Sequence, residues 1–100
     1  MSTLHIVSTS VFKTDALKRA VSLALPGDAI LLIEDGVYAA ADTATRQRVL
    51  DTIAAGVTVH ALSEDLAARA LPAPVATIAT VTYAGFVDLV CLHHNSVSWS

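Results

Sequence analysis

The sequence predicts an α/β domain, a three-layer α/β/α sandwich around a mostly parallel sheet of about five strands. Three observations carry this reading. Short runs rich in β-branched residues alternate with stretches of helical periodicity along the whole chain. Ala29 to Ile33 (AILLI) is a continuous apolar run, the pattern of a strand covered on both faces, as parallel strands are. No linker, internal repeat or low-complexity segment interrupts the 100 residues, so one domain, 1–100, is expected.

Leu4 to Thr9 (LHIVST) reads as the first strand. Thr14 is placed to cap a helix, with Asp15 in its positively polarised first turn. Leu17, Ala20, Val21 and Ala24 then recur at i, i+3, i+4 and i+7, and Pro26-Gly27 ends the helix. After the AILLI strand, Asp35-Gly36 reads as a turn, the aspartate bonding nearby N–H groups and the glycine taking a positive φ. Val37 to Ala41 suits a short helical turn. Asp42 or Thr43 is placed to cap a longer helix that carries Val49, Leu50, Ile53 and Ala54 inward and closes at Gly56. Val57 to Leu62 reads as the third strand. Ser63 is the expected cap of the next helix, Glu64 and Asp65 suiting its first turn, and Pro72 and Pro74 follow its end. Val75 to Val81 is the expected fourth strand, Thr82 caps a helix to about Leu92, and Ser96 to Trp99 is a short last strand.

Apolar residues make up 54% of the chain and charged residues only 15%, against about 25% charged in an ordinary soluble domain. A surface this short of charge exposes apolar patches or covers them with other subunits, and an oligomer is expected. No uncharged apolar run approaches the roughly 18 to 20 residues that span a bilayer, and MSTLHIVSTS lacks the layout of an export signal. Cys91 is the single cysteine, which fits a reducing cytoplasm. The net charge is −3 with no basic stripe, so direct nucleic-acid binding is not expected.

In open parallel sheets, ligands and partners gather at the carboxyl ends of the strands. These are Ser8 to Ser10, Glu34 to Gly36, His60 to Ser63 and Thr80 to Thr82. Glu34 and Asp35 are adjacent and would point to opposite sides of an extended strand, so they form no carboxylate pair by themselves. Cys91 falls near the carboxyl end of its helix, where the dipole disfavours a thiolate, although His94 three residues on is spaced to share its face. That spacing leaves a weak catalytic candidate at Cys91. His60, Ser63 and Asp35 lack the G-x-S-x-G elbow of a hydrolase. The four glycines (27, 36, 56 and 85) are isolated, without dinucleotide or phosphate-loop spacing, so neither cofactor nor metal is expected. Tyr83, Phe86 and Val90 form a helical stripe that can face core or partner, and Trp99 joins them as an aromatic interface candidate. Asp35, Gly36 and Tyr38 are the loop candidates for contact.

The runs LHIVSTSVF (Leu4 to Phe12), ILLIEDGVYAA (Ile30 to Ala40), VHALSEDLAARAL (Val59 to Leu71) and TYAGFVDLV (Thr82 to Val90), with Trp99 near the end, resemble the DsrH/TusB family in order and spacing. The resemblance implies the DsrEFH-like fold and a heterohexamer with DsrE/TusD-like and DsrF/TusC-like subunits. It further implies sulfur relay to a TusE/DsrC-type acceptor, for 2-thiolation of the tRNA wobble uridine in one branch and sulfur oxidation in the other. The main sulfur-carrying cysteine of that family belongs to the DsrE/TusD-type subunit. Ala20 stands where the Dsr branch tends to carry a first-helix cysteine, Val11 where a proline is common, and Ala70 where a glycine follows the arginine. A non-catalytic cytoplasmic subunit is therefore expected, more in keeping with the tRNA branch; a sulfur-oxidation subunit and a sulfur carrier using Cys91 are the alternatives. A homo-oligomer is a further possibility for the chain alone.

Overall fold

The computed structural model describes residues 2–41, 44, 49, 52–74 and 77–100. In chain order the elements are β1 (Thr3–Val7), α1 (Ala16–Leu23), β2 (Ala29–Leu32), a 3-10 turn (Glu34–Val37) running into α2 (Tyr38–Ala41), β3 (Thr58–Leu62), α3 (Ser63–Ala68), β4 (Ile78–Val81), α4 (Tyr83–Leu92) and β5 (Asn95–Trp99). The strands form one sheet in the order β4-β3-β2-β1-β5, and every neighbouring pair is parallel. This is the α/β architecture expected. β2 lies at the centre and all four of its residues are buried, which is what its unbroken apolar run requires.

Alternate residues of each strand point to opposite faces. Val7, Ile30, Leu32, Val59 and Ala61 share one cluster with Ala16, Leu17, Ala20 and Val21 of α1, Ala39 and Ala40 of α2, and Leu66 of α3. Leu4, Ala29 and Leu31 form the other cluster, packed against Phe86 and Leu89 of α4. Helices thus lie on both faces, and among the described helices α4 alone contributes to the second cluster. The periodic residues of α1 are all buried, each large one worth about 1.5–3 kcal/mol.

Several boundaries and caps differ from expectation. β1 stops at Val7, and Asp15 rather than Thr14 is the N-cap of α1, without a side-chain cap bond. The Thr14 hydroxyl still takes a hydrogen bond from the Ala16 N–H at 3.3 Å. Ser63 is already helical; the cap position falls to Leu62, and the Ser63 hydroxyl donates to Glu64 instead. The expected caps Asp42 and Thr43, with Leu50, lie outside the described residues, as do Val75 and Ala76 of the expected fourth strand. Of the other residues expected to point inward there, Val49 and Ile53 pack partly against the core while Ala54 is exposed. Thr82 does cap α4, accepting from the Gly85 N–H at 3.3 Å.

α3 ends where Ala70 takes φ +52°. A side chain in the left-handed region costs roughly 1–2 kcal/mol, while the greater freedom of an unfolded glycine takes back part of that. Ala70→Gly is therefore expected to stabilise the domain by about 0.5–1 kcal/mol. Thermal unfolding followed by circular dichroism would show this as a rise of a few degrees in Tm.

Candidate functional site

The loops after β2 and β3 meet at the carboxyl edge of the sheet. Arg69, just beyond α3, reaches back to Asp35 with both Nη2 (2.9 Å) and Nε (3.0 Å) on one carboxylate oxygen. Its Nη1 donates to the Asp65 carbonyl at 3.3 Å and lies 3.6 Å from the Asp65 carboxylate. The hydrogen bond to Asp35 holds the guanidinium pKa above its ordinary value against the opposing effect of burial, with the charges of Asp35 and Asp65 adding to it. Asp65 in turn accepts the Glu34 N–H at 2.6 Å. Asp35 is thus a structural ion-pair partner that joins the 3-10 turn to α3.

The turn geometry corrects the sequence reading at Gly36. The positive φ of this loop belongs to Glu34, at +50°, and Gly36 is absent from the left-handed region. Gly36 is required for a different reason: a Cβ there would lie 2.2 Å from the Val7 carbonyl oxygen. The β1 backbone passes so close that no side chain fits. Tyr38 follows on the half-buried side of α2.

Further along the same edge, Glu64 accepts the Tyr83 N–H at 3.2 Å and the Ser63 hydroxyl at 3.0 Å. Desolvation works against its ionisation, but these bonds and its own amide outweigh it and keep the carboxyl below its usual range. Ser63 is committed to Glu64 and Asp35 to Arg69, so neither forms a relay with His60. His60 lies within β3, its Nε2 at 3.1 Å from the Thr58 hydroxyl and its Nδ1 buried without a partner among the described residues. Burial, with His93 nearby, lowers its pKa.

α4 has an unusual surface. Its sequence YAGFVDLVCL carries one charge, Asp88, yet none of its residues is buried. Phe86 turns toward the sheet and packs partly on Leu4 and Leu31, while Tyr83 (57%), Val87 (61%) and Leu92 (73%) stand exposed, with Val90 less so. Cys91 is exposed on the same helix. His94 is not paired with it: its Nδ1 accepts the Ser2 N–H at 3.4 Å. Among the described residues no group of three or more His, Cys, Asp or Glu is placed to hold a metal ion.

Trp99 lies on the opposite side from α4. Its indole N–H donates to His5 Nδ1 at 3.1 Å, and Arg19 sits 5.4 Å above its ring. His5 Nε2 donates to Asp28 at 3.1 Å, so the imidazole is held as the Nε2–H tautomer between two partners. The named candidates therefore do not converge. Asp35, Gly36 and Tyr38 lie at the end of β2, Tyr83 and Phe86 on α4, and Trp99 on β5 against the α1 face. Sequence reading passed over Val87 and Leu92, although a helix apolar on every side signals burial beyond its own chain. It also passed over Arg69, whose partner is 34 residues away.

A family model described as DsrH like protein matches residues 9–96. Protein TusB of Erwinia tasmaniensis is 36% identical over 97 residues, an alignment covering 96% of this chain and 99% of that protein. Protein TusB of Escherichia coli is 38% identical over 100 residues, with the same coverage of each. Protein TusB of Shigella boydii likewise shows 38% identity over 100 residues.

Proposed function

Since the chain belongs to the DsrH family, we propose that it is a non-catalytic subunit of a sulfur-relay complex of the TusBCD/DsrEFH type, serving 2-thiolation of the tRNA wobble uridine. Its partners on this reading are DsrE/TusD-like and DsrF/TusC-like subunits in a cytoplasmic heterohexamer, which hands sulfur to a TusE/DsrC-type acceptor. The supporting observation is α4: ten residues with a single charge and none buried within the chain. A helix of that composition is stable in water when something covers it. Two further facts agree. Ala20, where the Dsr branch tends to carry a thiol, is a fully buried alanine packed in the α1 core. No helix among the described residues is long and apolar enough to cross a membrane.

Val87→Lys places a charge in the middle of this surface. Co-expression with the two partner subunits and affinity capture of the complex tests the reading. The variant is expected to weaken assembly by about 30-fold or more, as loss of a central apolar anchor costs roughly 2 kcal/mol or more. Cys91→Ser is expected to leave tRNA thiolation intact in a strain lacking the native chain. Undiminished assembly of Val87→Lys removes α4 as the docking face, and loss of thiolation in Cys91→Ser favours the sulfur-carrier alternative, for which the exposure of that thiol is the favouring observation.

A further inference from the structure

Among the described residues β5 is an edge strand, bonded to β1 on one side and open on the other. Edge strands of soluble proteins are normally blunted by lysine, proline, a bulge or a covering element. The sequence of β5, NSVSW, has no charge and no proline, and its first four residues are exposed. Its five residues run in unbroken register with β1 from Thr3↔Asn95 to Val7↔Trp99, leaving no bulge.

The ladder with β1 fixes which backbone groups face outward. The Asn95 N–H donates to Ser2 and the Trp99 carbonyl accepts from Ser8, so Asn95, Val97 and Trp99 direct their polar groups at β1. In a strand the N–H and C=O of one residue point the same way and successive residues alternate. Ser96 and Ser98 therefore present both groups to the open edge.

We propose that this edge pairs antiparallel with β5 of a second copy of the chain about a two-fold axis at Val97. That register opposes Ser96 with Ser98 of the other copy, in both directions. Each opposed pair exchanges two backbone hydrogen bonds and brings hydroxyls together on the α4 face. Val97 meets its own equivalent at a non-hydrogen-bonded position, where Cα atoms approach to about 4.5 Å. Self-pairing at a two-fold sets identical residues against each other, and a strand without charge meets no like-charge repulsion there. The flank adds apolar area. Val97 is 40% exposed, and Leu23, one turn beyond Arg19 on the side of α1 that overlies Trp99, is 58% exposed. The two sheets would run on as one, joining two copies whatever else each copy binds.

Sedimentation of the full chain at tens of micromolar tests this. A dimer is expected, and Val97→Lys, which sets two ammonium groups face to face, is expected to yield the monomer with an unchanged circular dichroism spectrum. In a Cys91→Ser background, Val97→Cys is expected to give a reducible covalent dimer under mild oxidation, because the opposed Cα atoms fall within disulfide range. Val87→Cys on α4 serves as the control and is expected to remain monomeric on a non-reducing gel. If Val97→Lys fails to fold, the cross-link decides. A monomeric native chain, a dimer that survives Val97→Lys, or cross-linking through Val87→Cys in place of Val97→Cys overturns the proposal. Docking through α4 is judged separately, by capture of the Val87→Lys chain, so the two readings fail independently.

Discussion

Gly36→Ala is expected to destabilise the domain by about 3 kcal/mol or more, the upper range for overpacking a core. The added methyl would sit 2.2 Å from the Val7 carbonyl oxygen and 3.0 Å from its carbon, and both are backbone atoms of a central strand. A flexible side chain would swing aside, but Val7 is pinned: its carbonyl accepts the Ile33 N–H at 3.0 Å, and its strand is bonded on both sides. Relief therefore requires the 3-10 turn to move, which pulls Glu34 from Asp65 and Asp35 from Arg69. Against a total stability of about 5–15 kcal/mol, urea denaturation should show a midpoint lowered by about a fifth or more. A variant as stable as the parent would mean that the strand and turn are not in this contact.

Asp28→Ala is the second large effect, expected to cost about 4 kcal/mol. Asp28 is buried and holds three donors: the Thr3 N–H at 2.9 Å, the Leu25 N–H at 3.0 Å and His5 Nε2 at 3.1 Å. Each donor stranded away from water costs roughly 1–3 kcal/mol, and together they tie the loop after α1 to the start of β1. Asp28→Asn keeps one acceptor oxygen and is expected to lose about half as much. The parent carries a pH signature. Burial pushes the Asp28 carboxyl up, but the bonds from Leu25, Thr3 and His5 outweigh it, and the net pKa is below the ordinary value. With the folded value depressed, the stabilisation is complete above the unfolded pKa of about 3.9 and is lost as pH falls through the folded one. Unfolding curves from pH 6 to 2 should therefore show an acid-induced fall that is shallower in Asp28→Asn. Parallel curves would show that Asp28 is not the group responsible.

Features set by neighbouring residues were legible in the sequence. The AILLI run gave the central strand, the i, i+3, i+4, i+7 spacing gave the buried face of α1, and Thr82 gave the cap of α4 with its end at Leu92. What escaped depends on residues far apart in sequence. An Asp-Gly pair ordinarily signals a positive φ, but at Gly36 the constraint is the passage of Val7, 29 positions earlier, and the chain put the left-handed residue at Glu34 instead. Asp28 sits in a Pro-Gly-Asp stretch that reads as a turn, and nothing local announces that His5 and Thr3 need its carboxylate. Glu34 and Asp35 lie in the 3-10 turn, yet Arg69 and Asp65, which hold that turn, are visible only in three dimensions. The low charge content does announce exposed apolar surface, which lies on α4 and at Phe12, Leu23, Leu25 and Val97.

The bond from Trp99 to His5 joins residues 94 positions apart. During synthesis on the ribosome, β1 and β2 emerge early and can pair across a short connection, whereas the other flank of β1 waits for β5 until nearly everything between has been made. Until then that flank of β1 lacks its partner strand, and the pairing is of the high sequence separation that slows folding.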